Sequence, residues 1–139
     1  SCVTRDEDSI HHAVRNIVSR LGYGIEEMPN SRSLTRCCGQ GGMIVPVNPA
    51  LAGRVMRRTA ESQAEQIVTY CAACKASMTL GGKTGLHIVD LLFRENLQDK
   101  SLAKVAGPLT SWLNRWKTKR ILAKVTQEMA REKQDFARQ

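Results

Sequence analysis

Five cysteines, all within the first 74 residues, constrain this chain more than any other feature. They stand as Cys2, the adjacent pair Cys37-Cys38 followed by Gly39, and Cys71-Ala72-Ala73-Cys74; 34 residues separate Cys2 from Cys37 and 32 separate Cys38 from Cys71. An odd number cannot close entirely into internal disulfides, so a secreted disulfide scaffold is a poor fit. A C-x-x-C pair sets two sulfurs on one turn, near enough to share a metal ion or a cluster. Adjacent cysteines point apart in an extended strand, but a loop carrying Gly39, Gly41 and Gly42 lets both face one site. Four soft thiolates suit zinc or iron–sulfur ligation, and a fifth exceeds what one tetrahedral zinc or an ordinary four-cysteine cluster uses. A thioredoxin-like dithiol and buried thiols serving as apolar filler are the competing readings.

The segments around these cysteines alternate between helix and strand. Ile10, Val14, Ile17, Val18 and Leu21 recur at helical spacing, with Asp8 or Ser9 as the start and Gly22 and Gly24 as the stop. Residues 23–28 are a weaker strand candidate. Asn48-Pro49 opens a second helix, Asn48 capping it and Pro49 taking its first position, with Leu51, Val55 and Ala60 expected to face inward. Ile67-Val68-Thr69-Tyr70 is β-branched and aromatic and runs straight into Cys71. A helix over 72–80 ends at Gly81-Gly82, and Leu86–Val89 is a last short strand before a helical turn through Leu91, Leu92 and Phe93. This alternation predicts an α/β fold, a small and mainly parallel sheet flanked by helices, followed by a C-terminal helical extension. In such sheets ligands bind beyond the carboxyl ends of the strands, which is where Cys71 lies.

The pattern Cys2…Cys37-Cys38-Gly39…Cys71-x-x-Cys74 resembles the cysteine-rich CCG domain of the heterodisulfide reductases. The same domain occurs in iron–sulfur subunits of glycolate, lactate and glycerol-3-phosphate oxidoreductases. CCGQGGM, the Asn48-Pro49 helix, IVTYCAAC and LHIVDLLF all fall in that family's order, so the resemblance covers about residues 1–95. It implies a [4Fe–4S] cluster held by candidates Cys2, Cys37, Cys38, Cys71 and Cys74. In heterodisulfide reductase five cysteines support a non-cubane cluster; here the second gap is slightly shorter than the pattern quoted for that enzyme. The implied chemistry is electron transfer or disulfide reduction within a larger oxidoreductase complex, by a domain or subunit rather than a complete enzyme. Family proteins often carry two such domains, and the strand leading into the first cysteine is absent here. The chain therefore reads as the C-terminal CCG domain of a longer redox subunit, cytoplasmic or peripherally membrane-associated. The alternative is a zinc-bound structural or interaction module, for which four of the thiolates suffice.

Other polar candidates carry less. His11, His12 and His87 are lone histidines, more often structural or solvated than ligands. Arg36 and Lys75 stand beside cysteines and are candidates to offset cluster charge, although solvation explains both. No Ser–His–Asp arrangement, phosphate-binding loop or paired-carboxylate motif is recognisable.

The net charge of +8 is unevenly placed: residues 107–139 hold 8 basic and 3 acidic side chains. The expected division is a cysteine-rich domain over 1–95 and a basic helical tail over 96–139 that docks to a partner subunit or, through 108–139, to an anionic membrane surface. From Pro108 to Phe136 there is no internal Pro or Gly, so one long helix is expected. Leu109, Trp112, Leu113 and Trp116 share one face, whereas Leu122, Val125, Met129 and Phe136 fall opposite. A bend near Lys117–Arg120, or different contacts for the two halves, would accommodate this. The plainer expectation is that the tryptophan half packs on its own domain. Nucleic-acid binding ranks low, since no recognised binding motif accompanies the basic helix.

Overall fold

A computed structural model describes residues 1–136, the side chains of Lys100 and 132–136 apart; residues 137–139 and the expected placement of Phe136 on a helix face lie outside the described part. Two compact units emerge, Ser1–Val105 and a second beginning at Ala106. The body contains helices α1 (Asp8–Arg20), α2 (Ile44–Val47), α3 (Pro49–Thr59), α4 (Ala72–Leu80) and α5 (Ile88–Phe93), and strands β1 (Gln66–Thr69) and β2 (Thr84–His87). Short 3-10 turns cover Cys2–Thr4, Arg32–Leu34 and Lys100–Ala103.

β1 and β2 pair in parallel across the α4 crossover, with Gln66 opposite Thr84, Ile67 opposite Gly85, Val68 opposite Leu86 and Thr69 opposite His87. Alternation along a strand sends neighbouring side chains to opposite faces. Ile67 accordingly joins Cys38, Ala60 and Met78 in one buried cluster, flanked by Met28 and Cys74. Leu86 joins Val18, Leu91 and Leu102 in another, flanked by Ile88 and Leu97. Gly85 is required where β2 meets α4: a Cβ there would collide with the Lys75 carbonyl and stand 3.0 Å from Thr79 Oγ1.

Local capping chemistry fixes most element boundaries. Asn48 Oδ1 accepts from Leu51 N–H at 3.0 Å, and Pro49 starts α3 where an N–H is dispensable. The buried face of α3 matches the expected one at Ala60 and departs from it at Leu51 and Val55. Ala52, Met56 and Ala60 are buried, while Leu51 is exposed and Val55 is partly covered. Close approach is the reason. A Cβ on Gly81 would lie 2.6 Å from the Met56 carbonyl and 2.7 Å from Ala60 Cβ, so the chain passes against this part of α3 only as glycine.

Two strand expectations change as well. Residues 23–28 form no strand; Tyr23 and Ile25 are exposed, Met28 tucks against the core, and Glu27 is held by Arg15 of α1 at 2.6 Å. Those contacts tie the segment down without backbone pairing. The last strand lies two residues earlier than expected because His87 caps α5. Its Nδ1 accepts from Val89 N–H at 3.2 Å, and Asp90 Oδ2 accepts from His87 N–H at 2.8 Å, drawing Ile88 and Val89 into the helix.

In the second unit, α6 runs unbroken from Pro108 to Phe136. Leu109, Trp112, Leu113 and Trp116 are exposed along this helix. No helix among the described residues is long and apolar enough to cross a membrane.

Candidate metal centre

The site is built at the carboxyl end of β1. Thr69 Oγ1 donates to the Cys71 carbonyl at 2.9 Å, and Lys75 N–H donates to the same oxygen at 3.0 Å as α4 begins. Cys71 is the residue flanking the start of α4, in extended conformation. Cys74, three positions on, lies on the same face one turn later. The helix start also places the N–H groups of Cys74 and Ala73 toward the Cys71 sulfur.

The Cys37-Cys38-Gly39 loop reaches this point by lying on α3. Gly39 has φ +94°, and a Cβ on it would meet Met56 Cγ at 3.0 Å and the Ala52 carbonyl at 3.1 Å. Both the backbone conformation and the lack of space therefore demand glycine. The loop delivers Cys38, 6% exposed, into the core beside Cys74 and Ser77, and leaves Cys37 exposed. Gly39 N–H points to Cys37 Sγ at 3.5 Å.

The N-terminal turn arrives at the same end of β1 through Tyr70. The Ser1 backbone nitrogen donates to the Tyr70 hydroxyl at 2.9 Å, and Thr4 Oγ1 shares a hydrogen bond with it at 2.7 Å. Cys2 lies between these two anchors, and Tyr70 immediately precedes Cys71.

Electrostatics divides the central thiols. The Cys74 thiol donates to Cys38 and brings the latter's pKa down to about 5; burial opposes this, while Ser77 and the N–H groups of Gln40 and Cys38 assist. Cys74 is pushed up, first by holding that proton for Cys38, then by burial and by the neighbouring sulfur charges. Burial raises Cys71, but the Cys74 N–H, the Cys74 thiol and the Ala73 N–H outweigh it, and the net shift is downward. One thiol thus stands between two sulfurs that favour the thiolate form. Thiolates, not thiols, are metal ligands, so a bound metal would displace the remaining proton.

All five cysteines are free; of the five expected ligands, Cys38 and Cys74 meet in one cluster and Cys71 lies one turn from Cys74 at the start of α4. Cys37 is in the adjoining loop, and Cys2 is held at the margin by Tyr70. Among the described residues no three Cys, His, Asp or Glu side chains form a finished grip for a single metal ion. The donor chemistry nonetheless fits a thiolate-bound metal or cluster. Ser77 Oγ is fully buried beside Cys38 and has no other hydrogen-bond partner, so its hydroxyl is available to that sulfur.

The other candidates go elsewhere. Lys75 Nζ donates to Asp90 Oδ2 at 2.7 Å, and Arg36 is exposed. His12 is exposed, and His87 caps α5. His11 is buried with its Nδ1 3.7 Å from Asp8 Oδ1, too far for a hydrogen bond. Sequence reasoning missed the structural work of Tyr70 and Asp90; a capping-box pattern three residues after His87 was the available signal for the latter.

A helix-flanked parallel sheet that gathers cysteine thiols at a strand end, beneath a Cys-Cys-Gly loop, defines a cysteine-rich metal-binding domain. The chain belongs to the CCG cysteine-rich domain family, whose model matches residues 1–79. No curated protein and no solved structure gives a match.

Proposed function

We propose that this chain is an iron–sulfur redox domain that binds a [4Fe–4S] cluster through Cys38, Cys71 and Cys74, with Cys37 and Cys2 supplying the remaining thiolates. The observation that carries the reading is the meeting of Cys38 with Cys74 at the β1–α4 junction, one turn from Cys71, in a chain of the CCG cysteine-rich family. When bound, such a cluster supplies one-electron chemistry, either as a relay or in reducing a disulfide, as in heterodisulfide reductase. The chain's own contribution is to hold its sulfurs as thiolates, using the N–H groups at the start of α4 and the buried Ser77 hydroxyl. Gly39 keeps the loop against α3, so that one edge of the site is walled by the apolar core and the Cys37 edge faces solvent. In the working complex a partner subunit or domain would exchange electrons at that open edge.

Zinc is the second reading, supported by the same soft donor set. Anaerobic reconstitution with iron and sulfide, with zinc present as a competitor, separates the two. A brown protein whose visible absorption bleaches reversibly on reduction is expected. Colourless protein carrying one zinc per chain after a competent reconstitution would replace the redox reading with the structural one.

A further inference from the structure

The first three turns of α6 carry chemistry that the thiol site does not use. Leu109, Trp112, Leu113 and Trp116 share one face and are all exposed, Trp112 at 64% and Trp116 at 48%. At about 100° per residue this face spans an arc of roughly 100°, bracketed by Lys119 on one side and Lys117 on the other. Arg120 stands over the Trp116 ring at 4.7 Å, a cation–π contact that keeps its charge beside the aromatic face. Between Pro108 and Gln127 there are five basic side chains, Arg115, Lys117, Lys119, Arg120 and Lys124, and no acidic one. The first acid of the helix is Glu128.

We propose that residues 108–120 bind the surface of an anionic phospholipid bilayer, with the Trp112–Trp116 face at the headgroup boundary and the flanking cations on the lipid phosphates. Charge complementarity selects the occupant. Tryptophan prefers the boundary between headgroups and acyl chains, and lysine and arginine extend past an apolar face to reach anionic headgroups. A helix that binds nucleic acid puts its cations at the centre of the contact, whereas here Lys117 and Lys119 border an apolar centre and Arg120 closes it at the C-terminal end, stacked on Trp116. The apolar patch is short, only about two turns long, which suits a surface more than a groove. Ile121, Leu122, Val125 and Met129 lie on the opposite side, so lipid contact ends near Arg120. The binding is peripheral, since no described helix is apolar enough to span a membrane.

Both tryptophans of the chain lie in this segment, so tryptophan emission reports on the segment alone. The full chain is mixed with vesicles of phosphatidylcholine containing about one-third phosphatidylserine, at about 0.1 M salt, and with phosphatidylcholine vesicles as comparison. The emission is expected to move to shorter wavelength on the anionic vesicles and to return when salt is raised to about 1 M. Replacing Lys117→Gln and Lys119→Gln together should weaken partitioning roughly 25-fold, about fivefold for each charge. These residues are exposed, and an unchanged circular dichroism spectrum shows that the variant is folded. Four results would each overturn the proposal. They are no shift on anionic vesicles, an equal shift on neutral ones, a shift produced by duplex DNA instead, and a shift that grows with protein concentration without lipid, which would name a second copy as the occupant.

Discussion

Asp90 fastens the thiol-bearing helix to the rest of the body, and its removal gives a stability change that can be worked from the structure. Its Oδ2 accepts from Lys75 Nζ at 2.7 Å and from His87 N–H at 2.8 Å, and its Oδ1 lies 3.4 Å from Arg94 Nε. The Asp90 side chain is 13% exposed and that of Lys75 is 26% exposed, so water only partly replaces what is lost. In Asp90→Ala the helix-start bond is worth about 1 kcal/mol, and the charge-assisted bond from Lys75 about 1.5–3 kcal/mol before re-solvation. The more exposed Arg94 contact adds little. The expected loss is about 2–3 kcal/mol for Asp90→Ala, and about half of that for Asp90→Asn, which keeps an oxygen for His87 N–H.

For a body of this size 1 kcal/mol moves Tm by about 4–8 °C, so Asp90→Ala should melt at least about 8 °C lower by circular dichroism. Burial raises the Asp90 carboxyl, but Lys75 and the His87 N–H outweigh it and leave its pKa below the ordinary 3.8. A carboxylate lowered on folding contributes fully above its unfolded pKa and loses that contribution as pH falls through the folded value. The gap between wild type and Asp90→Asn should therefore be widest near pH 6 and close as pH drops below about 4. An Asp90→Ala variant melting with wild type, or a gap to Asp90→Asn that persists undiminished in acid, would refute this account.

Three further outcomes test the packing around the site. Gly85→Ala sets a methyl against the Lys75 carbonyl and should cost about 1–3 kcal/mol in urea unfolding, with an unchanged midpoint contradicting the close approach of β2 to α4. Tyr70→Phe removes the hydroxyl that anchors Ser1 and Thr4, so amide exchange over residues 2–4 should quicken while that of α4 is unaffected; equal rates in both proteins would show the turn is held otherwise. In the metal-free reduced chain, mass-resolved alkylation should label exposed Cys37 before buried Cys38 despite the lowered Cys38 pKa, and the reverse order would mean that the loop opens readily.

The legible parts of this fold are those set by local chemistry. Asn48-Pro49 announces the start of α3, and Gly81-Gly82 the end of α4, because caps and helix breakers act within a few residues. Cys71 at the end of a β-branched strand was readable for the same reason. What escaped depends on contacts between segments. That Ala52 and Met56 face inward goes with the close approach of Gly39 and Gly81 to α3, which no periodicity encodes. Residues 23–28 have strand-like composition, but Glu27 finds Arg15 and Met28 finds the core instead of a strand partner. Within the site, the spacing marked all five cysteines without ranking them. The pairing of Cys38 with Cys74 follows from Gly39 lying on α3 at a positive φ, so it became visible only with the loop in place. His87 was passed over as a cap because histidine is not among the usual capping residues.

The central claim is that these thiols jointly hold an iron–sulfur cluster, and iron and acid-labile sulfide per chain test it most directly. Anaerobically reconstituted wild-type protein should contain about four of each, and Cys38→Ala, Cys71→Ala and Cys74→Ala, each checked for folding by circular dichroism, should retain less than about one. Folded wild-type protein that takes up no iron and sulfide, or a full complement kept in all three variants, would contradict it.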